Sequence, residues 1–503
     1  MRLPITPTLH IESFSGGLIQ VANSLATNVV FKKYPDGTLY ATQRPGVNIY
    51  EDASATVTKV KGRGIYHWAR VSASYFVNDN TVYKGSYAAP VTNAMTSGSK
   101  KVYFFELGTY LVIIDPENNK GWYITAGAST TLVAISDLDF PPNQTPPLTL
   151  ASGGAVLNGI LYVYTTSGAI FNSSSEDPTV WGALDFISSE LEADPGVMMF
   201  KHGSDHIAAI GSRTIQFFYD NANATASPLN VRTDISHTIG TVSYDSLFND
   251  GNTAYFIDQR KSNDCNVMAL SNFGLTRISN DQIDAFLTAT LVHEGLSIVG
   301  SGFSSGGHTF YVLTTYYLGA AVTSLTSLVY DIEANIWGGW ELMHAGIDKF
   351  PLIDFTTSTS TQAGNGILTN GDIITLFDGL PLDSVAGSRY VATGYVFPGY
   401  VTESPSSGTN IQMQIITGKT NLGSQRKKSV GNLKVICNKT TNSNNVLVQH
   451  TDEVNNNYNA GRNVDISNLN NKLTRMGSFI TRNHKLTTSP DEQVRIEGIE
   501  IDA

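Results

Sequence analysis

The chain is poor in cysteine, in charge and in long apolar runs, and each shortage removes a class of protein. Only two cysteines occur among 503 residues, Cys265 and Cys437. They are too few for a disulfide framework and too far apart for metal-ligand spacing. Charged residues make up 15% against 41% hydrophobic. A surface built on that balance relies on Thr, Ser, Asn and Gln, a coat common in extracellular and particle proteins. No stretch approaches the length needed to cross a bilayer as a helix, and the opening MRLPITPTLH lacks the apolar core of a signal peptide. The expectation is a soluble product made in the cytoplasm and then assembled. Basic residues number 32 against 43 acidic, a net charge of −11. Tight general binding of duplex DNA wants the opposite sign. An acidic wall past which DNA slides is compatible with it.

Short β runs and turn signals alternate almost throughout. Tyr110 to Ile114 ends at Asp115-Pro116, and Gly159 to Tyr164 ends at Ser167-Gly168. Such punctuation argues for meanders of antiparallel sheet. The anchors Asn158-Gly159, Ser204-Asp205, Asp250-Gly251 and Gly306-Gly307 recur at roughly 45 to 60 residues, the length of a four-stranded propeller blade. A divergent propeller and stacked β-sandwiches both fit, and the spacing favours the propeller. One stretch reads as a helix. Ser279 is the expected N-cap, Gln282 the third helical position, and Ile283, Phe286 and Leu287 the apolar stripe. The fold class is therefore all-β: an irregular β-propeller, an additional β-sandwich-like module and one short helix near 280–290. The expected divisions are an N-terminal arm with closing strands (1–60), a propeller-like domain (61–385) and a C-terminal β module (386–503). Ile411 to Ile415 alternates as a half-buried strand should, and Thr440 to Asn463 is Asn-rich and reads as loops. Val494 to Ile501 alternates but changes phase at Gly498, which predicts a bulge. Phe140 to Pro147 reads as an extended surface loop between blades.

Chemistry-bearing motifs are weak. His202 and His206 flank a turn and would not share a helical face. His293-Glu294 lacks a second His. Ser97 to Lys101 has no phosphate-loop spacing. Asp177-Pro178-Thr179-Val180-Trp181 invites comparison with the Asp-box of sialidase propellers, but Pro178 stands where that turn wants Gly. Asp177 is read as a turn cap with Trp181 packed beneath. Glu190, Glu192 and Asp194 read as a solvated acidic loop, and Trp337 and Trp340 as core. No catalytic residue, cofactor site or metal site is assigned. The densest basic run is Arg426-Lys427-Lys428, followed by Arg475 and Arg482. These five are the expected subunit-interface residues, facing an acidic neighbour.

The middle of the chain is more specific. Asp177 to Trp181, Phe186 to Glu190, Asp194, His206 to Gly211 and Thr214 to Phe218 come in succession. Pro228, Arg232, His237 to Thr241, Ala254 to Ile257 and Gly274 to Ser279 complete it. This succession resembles the packaged-DNA stabilisation proteins of podoviruses, also called tail hub or nozzle proteins. It runs over about residues 150–290, with fainter echoes at Ile415 to Lys428, at Arg475 to Ile501 and in the arm at Arg44-Pro45-Gly46. Members usually carry an acidic residue where Gln216 stands, so a contact made by that carboxylate is in doubt. The resemblance implies a non-enzymatic tail hub in the virion: a homo-hexamer below the portal and a head-to-tail adaptor protein. Such a ring retains packaged DNA and conducts it during ejection. Tail fibre, spike or needle proteins would be further partners. Duplex DNA would pass transiently without tight binding, and contact with the host envelope would be possible. The competing reading is a propeller-type polysaccharide-binding or glycoside-hydrolysing tail protein. It requires convergent carboxylates and stacked aromatics in a funnel.

Overall fold

The computed structural model describes residues 2–4, 26–51, 61–189, 192, 194–223, 225–259, 264–293, 297–318, 322–341, 352–357, 364–368, 373–377, 382–384, 408–417, 420–452, 458–468 and 471–502. Glu190 and Glu294 lie outside these residues.

Among the described residues, seven groups of three or four consecutive antiparallel strands follow one another along the chain. Their first strands are Gly62–Trp68, Tyr103–Leu107, Ala155–Leu157, Gly196–His202, Phe248–Asn249, Ser297–Ser305 and Leu352–Thr357. Neighbouring first strands touch in turn, and the last packs back on the first. Between the fourth and fifth, Asn249 Nδ2 donates to Lys201 O at 2.6 Å. A closed ring of seven blades around an axis is a β-propeller, and the propeller expectation is met. The recurring turn anchors mark one place in the blade. Asn158-Gly159, Ser204-Asp205, Asp250-Gly251 and Gly306-Gly307 each join the first strand to the second in blades three to six. Asn158 and Gly159 have φ of 51° and 75°. That left-handed pair is what a two-residue hairpin of this twist needs, and Asn-Gly supplies it cheaply.

The seventh blade is completed from the other end of the chain: Ile373–Phe377 pairs with Gly46–Glu51. The sixth blade continues outward. Its last strand, Ile336–Gly339, runs parallel to Ala26–Thr27, which pairs with Met413–Ile416 of the C-terminal region. A second sheet joins Val29–Lys33 and Leu39–Gln43 to Ile496–Asp502 and Asn432–Cys437. Phe31, Ala41, Val435, Leu486 and Ile499 share one buried cluster there. The N-terminal residues thus sit in both bodies.

Local readings hold or shift by small amounts. Register slips between Ile436 and Cys437 opposite Gly498 and Ile496, so the bulge falls where the pattern changes phase. The helix runs Asp281–Thr288, and Ile283, Phe286 and Leu287 are buried. Its N-cap is Asn280, not Ser279, because the Asn280 side chain accepts from the amides of Gln282 and Ile283. Ser279 instead accepts from Val267 N. The Asn-rich stretch is not all loop: Asn445–Thr451 is a strand with Val446 and Val448 buried. The alternation in NVLVQHT specifies the strand, and the flanking Asn residues form the loops on either side. The Pro-rich loop carries a 3-10 turn at Pro141–Asn143, and Phe140 is buried against Trp181.

Between the first two blades lies a buried ion pair. Arg63 Nη2 meets Asp115 Oδ1 at 2.7 Å with both side chains fully buried. Arg63 Nε also donates to Lys100 O at 2.8 Å. Removing one partner of such a pair strands a charge and costs about 3–5 kcal/mol, whereas an apolar replacement of both is far milder. Arg63→Ala is therefore expected to lower unfolding free energy by about that amount in urea titration. Arg63→Met combined with Asp115→Leu should recover most of it. A single variant within about 1 kcal/mol of the parent, the cost of an exposed ion pair, would contradict the pairing.

Candidate interaction surface

The expected interface residues divide into a surface set and a core residue. Arg426 and Lys427 are exposed on the loop after Asn421-Leu422-Gly423, and Arg475 is exposed after the strand Lys472–Thr474. Lys428 is half-buried, its ammonium held by the carbonyls of Ser424 and Arg426 at 2.5 and 2.8 Å. The short pairing Lys428–Ser429 with Ser478–Phe479 joins the two segments. Arg475 N donates to Gly431 O at 2.9 Å, which brings the third cation to the same end. Ile480, 49% exposed, lies beside Lys428 Nζ. Exposed cations and an exposed apolar side chain flanking one short pairing supply the residue types of an interface.

Arg482 does not belong to this surface. It is 2% exposed, with Nε and Nη2 on the two oxygens of Asp452 at 2.5 and 2.8 Å, and Nη1 on Met476 O. Its guanidinium lies 4.6 Å from the Phe479 ring centre. A planar, always-charged group suits this paired and stacked role. Arg482 fixes the segment that displays the other cations. Sequence spacing could not separate it from them, since strand alternation there is short.

Charge is also segregated along the chain. Residues 386–503 carry 13 Lys and Arg against 9 Asp and Glu, and residues 1–385 carry 19 against 34. Counting charge by segment was the signal for this asymmetry; the net value of −11 conceals it. On the acidic side, a cleft of about 460 Å³ beside blade four is lined by Asp205, Asp220 and Asp234 together with His206 and Arg232. On the flank of blades two and three, Leu138 and Leu184 are 78% and 74% exposed.

Other singled-out residues have structural duties. Asp177 accepts from Thr179 N at 2.9 Å, and Trp181 Nε1 donates to Pro178 O at 2.9 Å. Asp194 is no solvated loop acid: it accepts from Arg213 N, Thr214 N and the Thr214 hydroxyl, closing a turn. Trp337 donates to Ile278 O, and Trp340 packs on Phe303 and Phe310, so neither forms an exposed platform. His202 is buried edge-on to Phe273, while His206 bonds Asp205 at 2.7 Å. Gln216 is buried and its carbonyl oxygen accepts from the Ser189 hydroxyl, a contact a neutral amide makes without a charge. Neither Cys265 nor Cys437 is in a disulfide, and burial pushes their thiols up to about 12 and about 11. One group among the described residues offers three potential metal donors, His308, Asp331 and Glu333. Asp331 already takes His308 Nδ1 and Ala334 N, and Glu333 takes Thr309 N.

Beneath the basic tip, His484 is fully buried opposite His450, and neither ring nitrogen has a hydrogen-bond partner. Burial first, then Arg482 and His450, hold it down to about 3, while Asp452 pulls weakly the other way. A folded value below the unfolded 6.5 means the unfolded chain binds the extra proton between those limits. The stability this neutral ring contributes is complete above pH 6.5 and falls progressively as pH drops toward 3, by on the order of 4 kcal/mol in all. His484→Leu is expected to flatten the pH dependence of unfolding across that window, as followed by denaturant titration at successive pH values. Parallel curves for parent and variant would contradict it.

The sequence model of the family described as Phage_stabilise, "Bacteriophage P22 Gp10, beta-propeller", matches residues 23–362. No curated protein matches the chain. Among solved structures, the chain is similar to the N-terminal domain of Nup159, at 7% identity and TM-score 0.37, over 71% of this chain and 99% of that one. It is also similar to the Myceliophteria thermophila Cps50 (Swd1) β-propeller domain, at 9% identity and TM-score 0.38, over 64% of this chain and 97% of that one. A third is a Mitotic Checkpoint Complex structure, at 10% identity and TM-score 0.35, over 66% of this chain and 93% of that one. The family match spans most of the propeller and the N-terminal strands that close it, and this chain belongs to the bacteriophage P22 Gp10 β-propeller family.

Proposed function

We propose that the chain is a non-enzymatic subunit of a short-tailed phage tail hub. Copies would form a ring, a hexamer in this reading, below the portal and its adaptor, with tail fibre, spike or needle proteins beyond. The ring would retain packaged DNA and conduct it during ejection. The observation that carries the reading is the charge asymmetry within a phage-family propeller. Exposed Arg426, Lys427, Arg475 and Ile480 lie in a net-basic C-terminal region of a chain whose remainder is strongly acidic. Head-to-tail contacts between unlike surfaces of identical copies close into rings. Complementary charge favours such contacts and sets their register.

The conduit would lie between copies rather than through one. The cleft at the propeller axis holds about 730 Å³ and is lined by aromatic rings. A duplex whose major groove alone is about 12 Å wide does not fit such a space. Acidic faces would line the bore with a sign that does not hold phosphates, so DNA would slide. The proposed division of labour follows the chain: residues 1–60 as arm and closing strands, 61–385 as stave, and 386–503 as the module carrying the contact.

Electron microscopy of the assembled protein tests this directly; a six-fold ring with a bore wide enough for duplex DNA is expected. Reversing two tip charges, Arg426→Glu with Lys427→Glu, should weaken assembly about tenfold or more at low salt, and less as salt screens the contact. Sedimentation velocity reads the change. A chain that stays monomeric at every concentration, or a ring indifferent to the reversal, would contradict the proposal.

A further inference from the structure

Blade four ends in the strand Leu229–His237, the last of its sheet, whose outer edge pairs with no other strand among the described residues. Beside it, where the first hairpin of blade three meets blade four, lies the cleft of about 460 Å³. Asn158 Nδ2 donates to Asp220 Oδ2 at 2.6 Å across that junction. The cleft is charged, and its charges do not cancel. Arg232 donates from Nε to Asp234 Oδ1 at 3.0 Å and from Nη2 to Asp234 Oδ2 at 3.3 Å. Its guanidinium lies 4.4 Å from the centre of the Phe273 ring. This cation is matched by one carboxylate and held in place by an aromatic face.

His206 adds no charge in this arrangement. Its Nε2 faces Arg232 Nη1 at 3.2 Å, and a guanidinium only donates, so Nε2 accepts and Nδ1–H donates to Asp205 Oδ1 at 2.7 Å. Three carboxylates, Asp205, Asp220 and Asp234, against one guanidinium leave two negative charges unmatched. The Asp205 side chain is 74% exposed, and the bond from His206 holds its carboxyl below the usual range. Elsewhere the chain carries two unmatched positive charges side by side. Arg426 and Lys427 are exposed, and neither is in an ion pair among the described residues. Lys428, next to them, is engaged by the carbonyls of Ser424 and Arg426.

We propose that this cleft is the acceptor for Arg426 and Lys427 of a neighbouring copy. The inference rests on the tail-hub reading and names the surface on which one copy receives the next. Two cations meet two unmatched carboxylates, and the fork of a guanidinium suits bidentate pairing with one of them. Donor and acceptor are different parts of the chain, so each copy gives one contact and receives another, as ring closure requires. Phosphates would be repelled from the same cleft.

Sedimentation velocity of the full chain at low salt tests it. Reversing the cleft, Asp205→Lys with Asp220→Lys, is expected to weaken assembly about tenfold or more. Asp205→Asn, at an exposed position, should weaken it severalfold and melt with the parent. Mixing the cleft-reversed chain with a chain carrying Arg426→Glu and Lys427→Glu should restore the assembly that neither forms alone, because each offers the other opposite charge. A mixture that stays dissociated would overturn the assignment and leave the tail-hub reading standing. So would unchanged assembly in both cleft variants while Arg426→Glu with Lys427→Glu weakens it. A parent chain that stays monomeric at every concentration would overturn both.

Discussion

The structure depends on one shared segment. Residues 26–51 supply a strand to the seventh blade, a strand beside the sixth and two strands to the C-terminal sheet. A propeller must close its ring, and a strand from the far end of the chain closes it with main-chain hydrogen bonds rather than a covalent link. Here the same segment also carries the hydrogen bonds that attach the second body. Arg44, 1% exposed, lies at the junction, with Nε on Asn28 Oδ1 and Nη2 on Glu341 O. Asn28 reaches across to Gln412 O. A single buried cation thus ties arm, sixth blade and module, and buried guanidinium groups persist only where every donor is so engaged.

That coupling has a mechanical consequence. If the module carries the contact between copies, force on the basic tip passes through sheet hydrogen bonds into the propeller, not through a flexible linker. Blade-on-blade packing then resists deformation, because close-packed cores are stiff. The aromatic content reads naturally in these terms. Rings such as Phe303, Phe310 and Trp340 pack between blades, where large rigid side chains bury much area at little rotamer cost.

How much was visible beforehand depended on the range of the interaction. Hairpin turns are local, so Asn158-Gly159 and its counterparts announced the blades, and the phase change at Gly498 announced its bulge. Burial of Ile283, Phe286 and Leu287 followed from a four-residue spacing. The pairing of Ala26–Thr27 with both Ile336–Gly339 and Met413–Ile416 has no local signature, since β pairing across hundreds of residues leaves only alternation in each strand. Arg482 shows the limit for a site. A surface cation and a buried, paired one are the same letter, and only the position of Asp452 and Phe479 separates them. Asn280 took the cap from Ser279 by one residue because both types cap equally well.

Hydrogen exchange read by mass spectrometry, comparing the full chain with one lacking residues 1–51, tests the shared segment most directly. The account predicts that peptides covering 373–377, 413–416 and 496–502 lose protection together, while the blade strands Tyr110–Asp115 and His206–Gly211 keep more of theirs. Unchanged protection at 373–377 and 496–502 in the shortened chain would contradict it.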